Sequence, residues 1–220
     1  MVKNIIAFER WTKDVDRYNN PHLRLKVIAT IVNSFKPSSV VDLGCARGTL
    51  RTLLFPEISY SGVDFILPKD PPGFPFYQCD FNSERLPKQI CDTDVIVCSG
   101  LLEYIEQLPE FVRNISDCLN PGGLIVASYF NFNHIQRRIL KVKGKPLYYH
   151  SDWRGFYSYS EMKKIFKRAG FALVRTVPIG HSFSHSAPVE RTLADDCELH
   201  KFHFLSPLMT HQFIFILKKN

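Results

Sequence analysis

The run Val40-Val41-Asp42-Leu43-Gly44-Cys45-Ala46-Arg47-Gly48 constrains the fold more than any other part of the chain. Its β-branched start reads as a buried strand, and Gly44 and Gly48 place a tight turn directly after it. From Thr49 to Phe55 the pattern predicts a helix, which Pro56 cuts off. A strand that passes through a glycine turn into a helix opens a parallel α/β unit, and backbone must come close to something at that turn. The spacing argues against one ligand class. A dinucleotide fingerprint needs glycines two and five residues after Gly44, where this chain has Ala46 and Thr49. Asp42, at the strand end, would repel a phosphate but suits backbone amides or an ammonium group.

The same alternation continues on both sides. Leu25, Ile28, Ile31, Val32 and Phe35 recur at helical spacing before Pro37, so a helix is expected from His22 to Phe35. Further strands are expected at Ile58–Asp64, Phe76–Asp80, Asp94–Ser99 and Leu124–Phe130. Leu108, Phe111, Val112, Ile115 and Leu119 form one apolar stripe, a helix ended by the Asn120-Pro-Gly-Gly turn. A polar and aromatic segment from Asn131 to Ser158 precedes a helix from Ser160 to Ala169 and strands at Phe171–Val177 and His211–Leu217. The expected class is α/β: a doubly wound, mostly parallel seven-stranded sheet with helices on both faces and an antiparallel terminal strand. With 220 residues, 45% of them apolar, one domain is expected.

Lys and Arg number 28 against 21 Asp and Glu, a formal charge of +7 that favours anionic partners without requiring nucleic acid. Cys45, Cys79, Cys91, Cys98, Cys118 and Cys197 contain no C-x-x-C pair, and several lie in apolar runs, as reduced thiols do. The first residues become charged too soon for a signal peptide, and no apolar run approaches the roughly 20 residues that span a bilayer. A soluble cytoplasmic protein without membrane attachment is expected.

The glycine loop resembles the first motif of class I S-adenosylmethionine-dependent methyltransferases, D/E-x-G-x-G-x-G, which stands here as Asp42-Leu43-Gly44-Cys45-Ala46-Arg47-Gly48. Ala46 replaces the middle glycine, at a cost of about 1 kcal/mol if the position needs a positive φ. The resemblance covers residues 38 to 130 or so: Asp64 ends the second strand, Asp80 stands in Gln78-Cys-Asp-Phe, and Asp94-Val-Ile-Val-Cys-Ser-Gly and Leu119-Asn-Pro-Gly-Gly match the fourth strand and the turn into the fifth. It implies a Rossmann-like methyltransferase fold of the small bacterial, biosynthetic type, with S-adenosylmethionine as cofactor. The implied cofactor site comprises Arg24, Asp42, Gly44, Cys45, Gly48, Asp64, Phe65, Asp80, Phe81 and Ser99. In it Asp64 meets the ribose hydroxyls, Asp80 and Phe81 lie near the adenine, and Arg24 pairs with the methionine carboxylate. It also implies three parts within 1–220: N-terminal cap helices (1–36), a cofactor-binding half (37–130) and a substrate-side half (131–220). Many family members have His where this chain has Tyr104, so a base at that position is absent.

The acceptor is expected against Asn131 to Ser158, with Tyr148, Tyr149 and Trp153 as substrate residues. His134 and His150 are candidates for a general base; the plainer reading of each is a structural or solvated histidine. Arg137, Arg138, Lys141, Lys143 and Lys145 read either as the wet face of a helix or as an anion site. Cys197, His200 and His203 have ligand chemistry but not the spacing of a closed zinc module, so no metal is expected. The expected activity is methyl transfer from S-adenosylmethionine to an O or N nucleophile of a small metabolite. An RNA methyltransferase, which the charge allows but does not favour, and a non-catalytic methyltransferase-like partner protein are the alternatives. Acceptor identity and oligomeric state do not follow from the residues.

Overall fold

Strands that are apolar at consecutive positions must be covered on both faces, and this decides the architecture. The computed structural model describes residues 21, 23–68, 70, 72–144, 153–181 and 206–220. Its strands are β1 (Ser39–Leu43), β2 (Ser59–Asp64), β3 (Phe76–Gln78), β4 (Thr93–Cys98), β5 (Leu119–Phe130), β6 (Phe171–His181) and β7 (Thr210–Lys219). They form one sheet in the order β3-β2-β1-β4-β5-β7-β6. The pairs from β3 through β5 are parallel, and β7 runs antiparallel to both β5 and β6. The helices are α1 (Leu23–Phe35), α2 (Leu108–Cys118), α3 (Ile135–Val142), α4 (Tyr159–Arg168) and α5 (Ser206–Met209). None of the described helices is long and apolar enough to cross a membrane.

Alternate residues of the central strands feed two cores. Val40, Val95, Val97, Val126 and Ile214 pack with Ile28, Ile31 and Val32 of α1. Val41, Ile96, Cys98, Ile125 and Phe215 pack with Phe111, Val112 and Ile115 of α2 and with Met162 and Phe166 of α4. Thus α1, expected within an N-terminal cap, is a layer helix that covers one face of the sheet.

Several elements differ from the periodicity, among them β5, which starts at Leu119, so the Asn120-Pro-Gly-Gly turn expected before it lies within the strand as a register irregularity against β4. The helix expected from Thr49 to Phe55 is a single 3-10 segment, Thr49–Leu53. Its end is held from outside: Asn33 Nδ2 donates to the Leu53 carbonyl at 3.0 Å, and Asn33 Oδ1 accepts from the Phe55 amide at 3.1 Å. β6 and β7 outrun their apolar cores, because their mutual pairing continues through Pro178↔Phe213 to His181↔Thr210. Pro178 is tolerated there because β6 lies at the sheet edge. Finally, α4 begins at Tyr159 because Ser158 and Glu161 form a capping box, each side chain accepting the other's amide.

The buried layers make a direct prediction. Phe215→Ala should lose about 3–5 kcal/mol in chemical denaturation, whereas Val174→Ala, 55% exposed on β6, should change stability by less than about 0.5 kcal/mol. Equal losses would contradict the assigned faces.

Candidate active site

In a parallel sheet the turns that follow the strands gather at one edge, and here those after β1, β2, β4 and β5 meet. The β1 turn is fastened to the end of β2. The Gly44 and Cys45 amides both donate to the Val63 carbonyl, at 2.8 and 3.2 Å, and the Ala46 amide donates to Asp64 Oδ2 at 2.8 Å. The turn passes through left-handed backbone at Gly44 (φ 73°), Ala46 (φ 50°) and Gly48 (φ 73°). Ala46 therefore carries the cost foreseen for a non-glycine residue at this position.

Several expected ligand contacts have structural partners of their own. A Cβ on Gly48 would collide with the Phe74 ring, so the missing side chain makes room for Phe74 rather than for a ligand. Cys45 is buried against Gly62, and burial pushes its thiol up, so the sulfur is inert. Asp42 Oδ2 accepts the Tyr60 hydroxyl at 2.9 Å, in place of the backbone amides or ammonium group expected from the sequence. Asp64 holds one backbone amide on each oxygen, Ala46 on Oδ2 and Ile66 on Oδ1 at 3.3 Å. Phe65, beside it, accepts from Gln78 Nε2 through its carbonyl at 3.0 Å.

After β3, Asp80 Oδ1 accepts the Asn82 amide at 3.0 Å, and Phe81 packs edge-on against Phe111 of α2. Asn82, which the sequence reading passed over, bridges to the turn after β4. Its Nδ2 donates to the Tyr104 carbonyl at 3.1 Å, and its Oδ1 accepts the Glu106 amide at 2.8 Å. Its signal was the turn-forming Asp80-x-Asn82 pair.

Arg24 and Ser99 do come together, although 75 positions separate them: Arg24 Nε donates to Ser99 Oγ at 3.0 Å. The guanidinium lies over Gly100, where an added Cβ would stand 2.8–3.0 Å from it, and the Gly100 amide donates to Ser128 Oγ at 2.8 Å. Glu103 is the second residue the sequence reading missed, visible only as an acid inside the apolar run Leu101-Leu102-Glu103-Tyr104-Ile105. It is buried, its Oε1 accepts the Phe130 amide at 2.8 Å, and its Oε2 has no hydrogen-bond partner. Its carbonyl accepts the Arg154 and Gly155 amides, which ties 153–156 to the β4 turn.

On the substrate side, Trp153 packs on Phe130 and Phe132, with ring centroids 4.7 and 5.3 Å apart. Tyr148, Tyr149 and His150 lie outside the described residues, as do Lys145 and the group around Cys197. His134 is not placed to act as a base. It is fully buried, its Nδ1 accepts the Gln136 amide at 3.3 Å as the N-cap of α3, and its Nε2 lies 3.2 Å from the Met209 carbonyl. With Nδ1 accepting and Nε2–H donating, no lone pair is left to take a proton.

Three buried acids thus share this edge. Burial raises Asp42 from 3.8 to about 7; the Tyr60 hydrogen bond opposes the rise and the Asp64 charge adds to it. Burial also raises Asp64, against the amides of Ala46, Ile66 and Phe65, and raises Glu103, against backbone amides and the Arg24 charge.

Two outcomes follow. Ala46→Gly should relieve about 1 kcal/mol of left-handed strain, partly offset by the freedom glycine adds to the unfolded chain. Denaturation midpoints test this, and a loss of stability would contradict the backbone assigned there. Asp42 binds its proton more tightly folded than unfolded, so its stabilising contribution is fully present below about pH 4 and is lost as pH rises through about 7. Asp42→Asn should therefore flatten the fall in stability between about pH 4 and 7, an effect on the order of a few kcal/mol. An unchanged slope would mean that Asp42 titrates normally.

Residues 13–176 match the family model described as a methyltransferase domain. A stretch of 72 residues is 32% identical to a malonyl-[acyl-carrier protein] O-methyltransferase of Prosthecochloris aestuarii (strain DSM 271 / SK 413). That match spans 33% of this chain and about a quarter (26%) of the relative. Among solved structures, an S-adenosylmethionine-dependent methyltransferase from Clostridium acetobutylicum superposes with a TM-score of 0.61 at 13% identity, covering 98% of this chain and 99% of that one. The 1,6-didemethyltoxoflavin-N1-methyltransferase of Burkholderia thailandensis gives 0.60 at 14% identity, covering 99% and 90%. The family match extends over most of the chain and the strand order carries the same fold, so the chain belongs to the class I, S-adenosylmethionine-dependent methyltransferases.

Proposed function

We propose that this methyltransferase moves the methyl group of S-adenosylmethionine to an oxygen or nitrogen nucleophile of a small molecule. The observation that carries the reading is the convergence, at one edge, of a left-handed turn, the buried acids Asp42, Asp64 and Glu103, and the Arg24–Ser99 pair. The donor set fits the cofactor. Its ribose hydroxyls suit the Asp64 carboxylate, its carboxylate suits Arg24, and its positive charge suits an acid-rich floor that includes the orphaned Glu103 Oε2. Gly44, Cys45 and Phe65 would line it through the turns after β1 and β2, and Asp80 and Phe81 through the turn after β3, while Gly48 shapes the first of these turns by leaving room for Phe74. When bound, the cofactor supplies a methyl group already activated by a sulfonium leaving group.

The chain's own task is then alignment and exclusion of water. Phe130, Phe132 and Trp153 form an aromatic wall beyond β5, suited to a flat or apolar acceptor. Support for a small acceptor comes from the Burkholderia thailandensis neighbour, whose bound acceptor is 1,6-didemethyltoxoflavin. Support for oxygen as nucleophile comes from the Prosthecochloris aestuarii relative, an O-methyltransferase.

The test joins binding and turnover. Asp64→Ala should weaken S-adenosylhomocysteine binding by about 1.5–3 kcal/mol in calorimetry, since the hydroxyls lose charge-assisted acceptors. Unchanged affinity in a folded variant would remove Asp64 from the site. A screen of small metabolites with isotope-labelled methyl donor should find an acceptor, and with it Trp153→Ala should lower turnover while cofactor affinity stays within about threefold. Labelling of RNA alone, or of nothing despite tight cofactor binding, would replace this reading with one of its alternatives.

A further inference from the structure

We propose that the outward face of α3 is a docking surface for an anionic lipid bilayer, an inference independent of the acceptor reading. The helix is amphipathic in the unusual sense. Ile135, Ile139 and Val142 fall at i, i+4 and i+7 on one side and are 36%, 47% and 88% exposed. Arg137 and Leu140, on the opposite side, are only half-exposed, and no residue of the helix is buried. Arg137 donates to the Asn131 carbonyl and lies 3.5 Å from the centre of the Phe130 ring, so the helix is attached through the side that carries Arg137 rather than through its aliphatic stripe. The fully buried His134 caps its first turn and contacts the Met209 carbonyl, which fixes the direction in which the stripe looks. Among the described residues, no other exposed large apolar side chains share one helix face.

The charge around the stripe is of one sign. Arg138, Lys141 and Lys143 are exposed beside it, and no acidic residue occurs between 131 and 151. The occupant must therefore be apolar and anionic together. An acidic protein partner would need a complementary recess and roughly 800 Å² of contact, whereas the stripe is a proud ridge about 12 Å long. A bilayer needs no recess: aliphatic side chains enter the head-group boundary, and the flanking cations meet anionic lipids. α3 begins five residues beyond the end of β5.

Flotation of the full chain with vesicles tests the proposal, using phosphatidylcholine alone or with about 30% phosphatidylglycerol, at about 50 and about 500 mM salt. Binding to anionic vesicles should exceed binding to neutral ones by about tenfold or more and fall at the higher salt. Val142→Asp, Ile139→Asp and the combined Arg138→Glu, Lys141→Glu, Lys143→Glu variant should each lose about tenfold, with melting temperature and S-adenosylhomocysteine affinity preserved as folding controls. No binding to anionic vesicles at low salt, or binding that survives these substitutions, would overturn the proposal. So would a wild-type chain that ignores vesicles but self-associates or binds a soluble acidic protein through α3, since the face would then belong to a second copy or a protein partner.

Discussion

The hydrogen bond from the Ala46 amide to the buried Asp64 carboxylate, 2.8 Å long, joins the two halves of the candidate active site. It fixes the β1 turn to the end of β2, aided by the Val63 carbonyl, which takes two more amides of the same turn. Left-handed backbone at three positions within five residues would otherwise have little to hold it. Beneath the turn, Asp42, Tyr60, Phe74 and Gly48 form a continuous chain of contacts, so sheet packing and turn geometry constrain one another. A second fastening, Arg24 on Ser99, joins the first turn of α1 to the end of β4.

Burying acids at this edge is unfavourable unless something cationic joins them. Asp42, Asp64 and Glu103 are all raised by desolvation, and Glu103 keeps one oxygen without a hydrogen bond. Arg24 offsets part of this at Glu103. A positively charged ligand would offset more, and it would be bound more tightly because its partners are desolvated in advance. The same acids therefore lower the stability of the empty protein at neutral pH and favour a cationic cofactor.

The sheet was legible because its signals are local. Successive apolar runs, Pro56 and the turn at Gly44 mark the parallel strands, and the terminal strand is expected to be antiparallel because no helix is legible before it in the sequence, although the short α5 directly precedes β7. What escaped depended on distant partners. His134 looks titratable in sequence, but its role is set by the Met209 carbonyl 75 positions away. Gly48 looks like a ligand-facing glycine until Phe74 is seen to fill the space. Glu103 and Asn82 work through backbone groups that no motif records. The 3-10 segment after Gly48 is short because Asn33, on another element, terminates it.

Hydrogen–deuterium exchange with and without saturating S-adenosylhomocysteine tests the central claim most directly. The account predicts that ligand slows exchange by about tenfold or more at 44–48, 64–66 and 99–101, while the β6–β7 pairing far along the sheet is unaffected. Protection confined to other segments, or no protection at these three despite measured binding, would contradict the placement of the cofactor at the carboxyl ends of β1, β2 and β4.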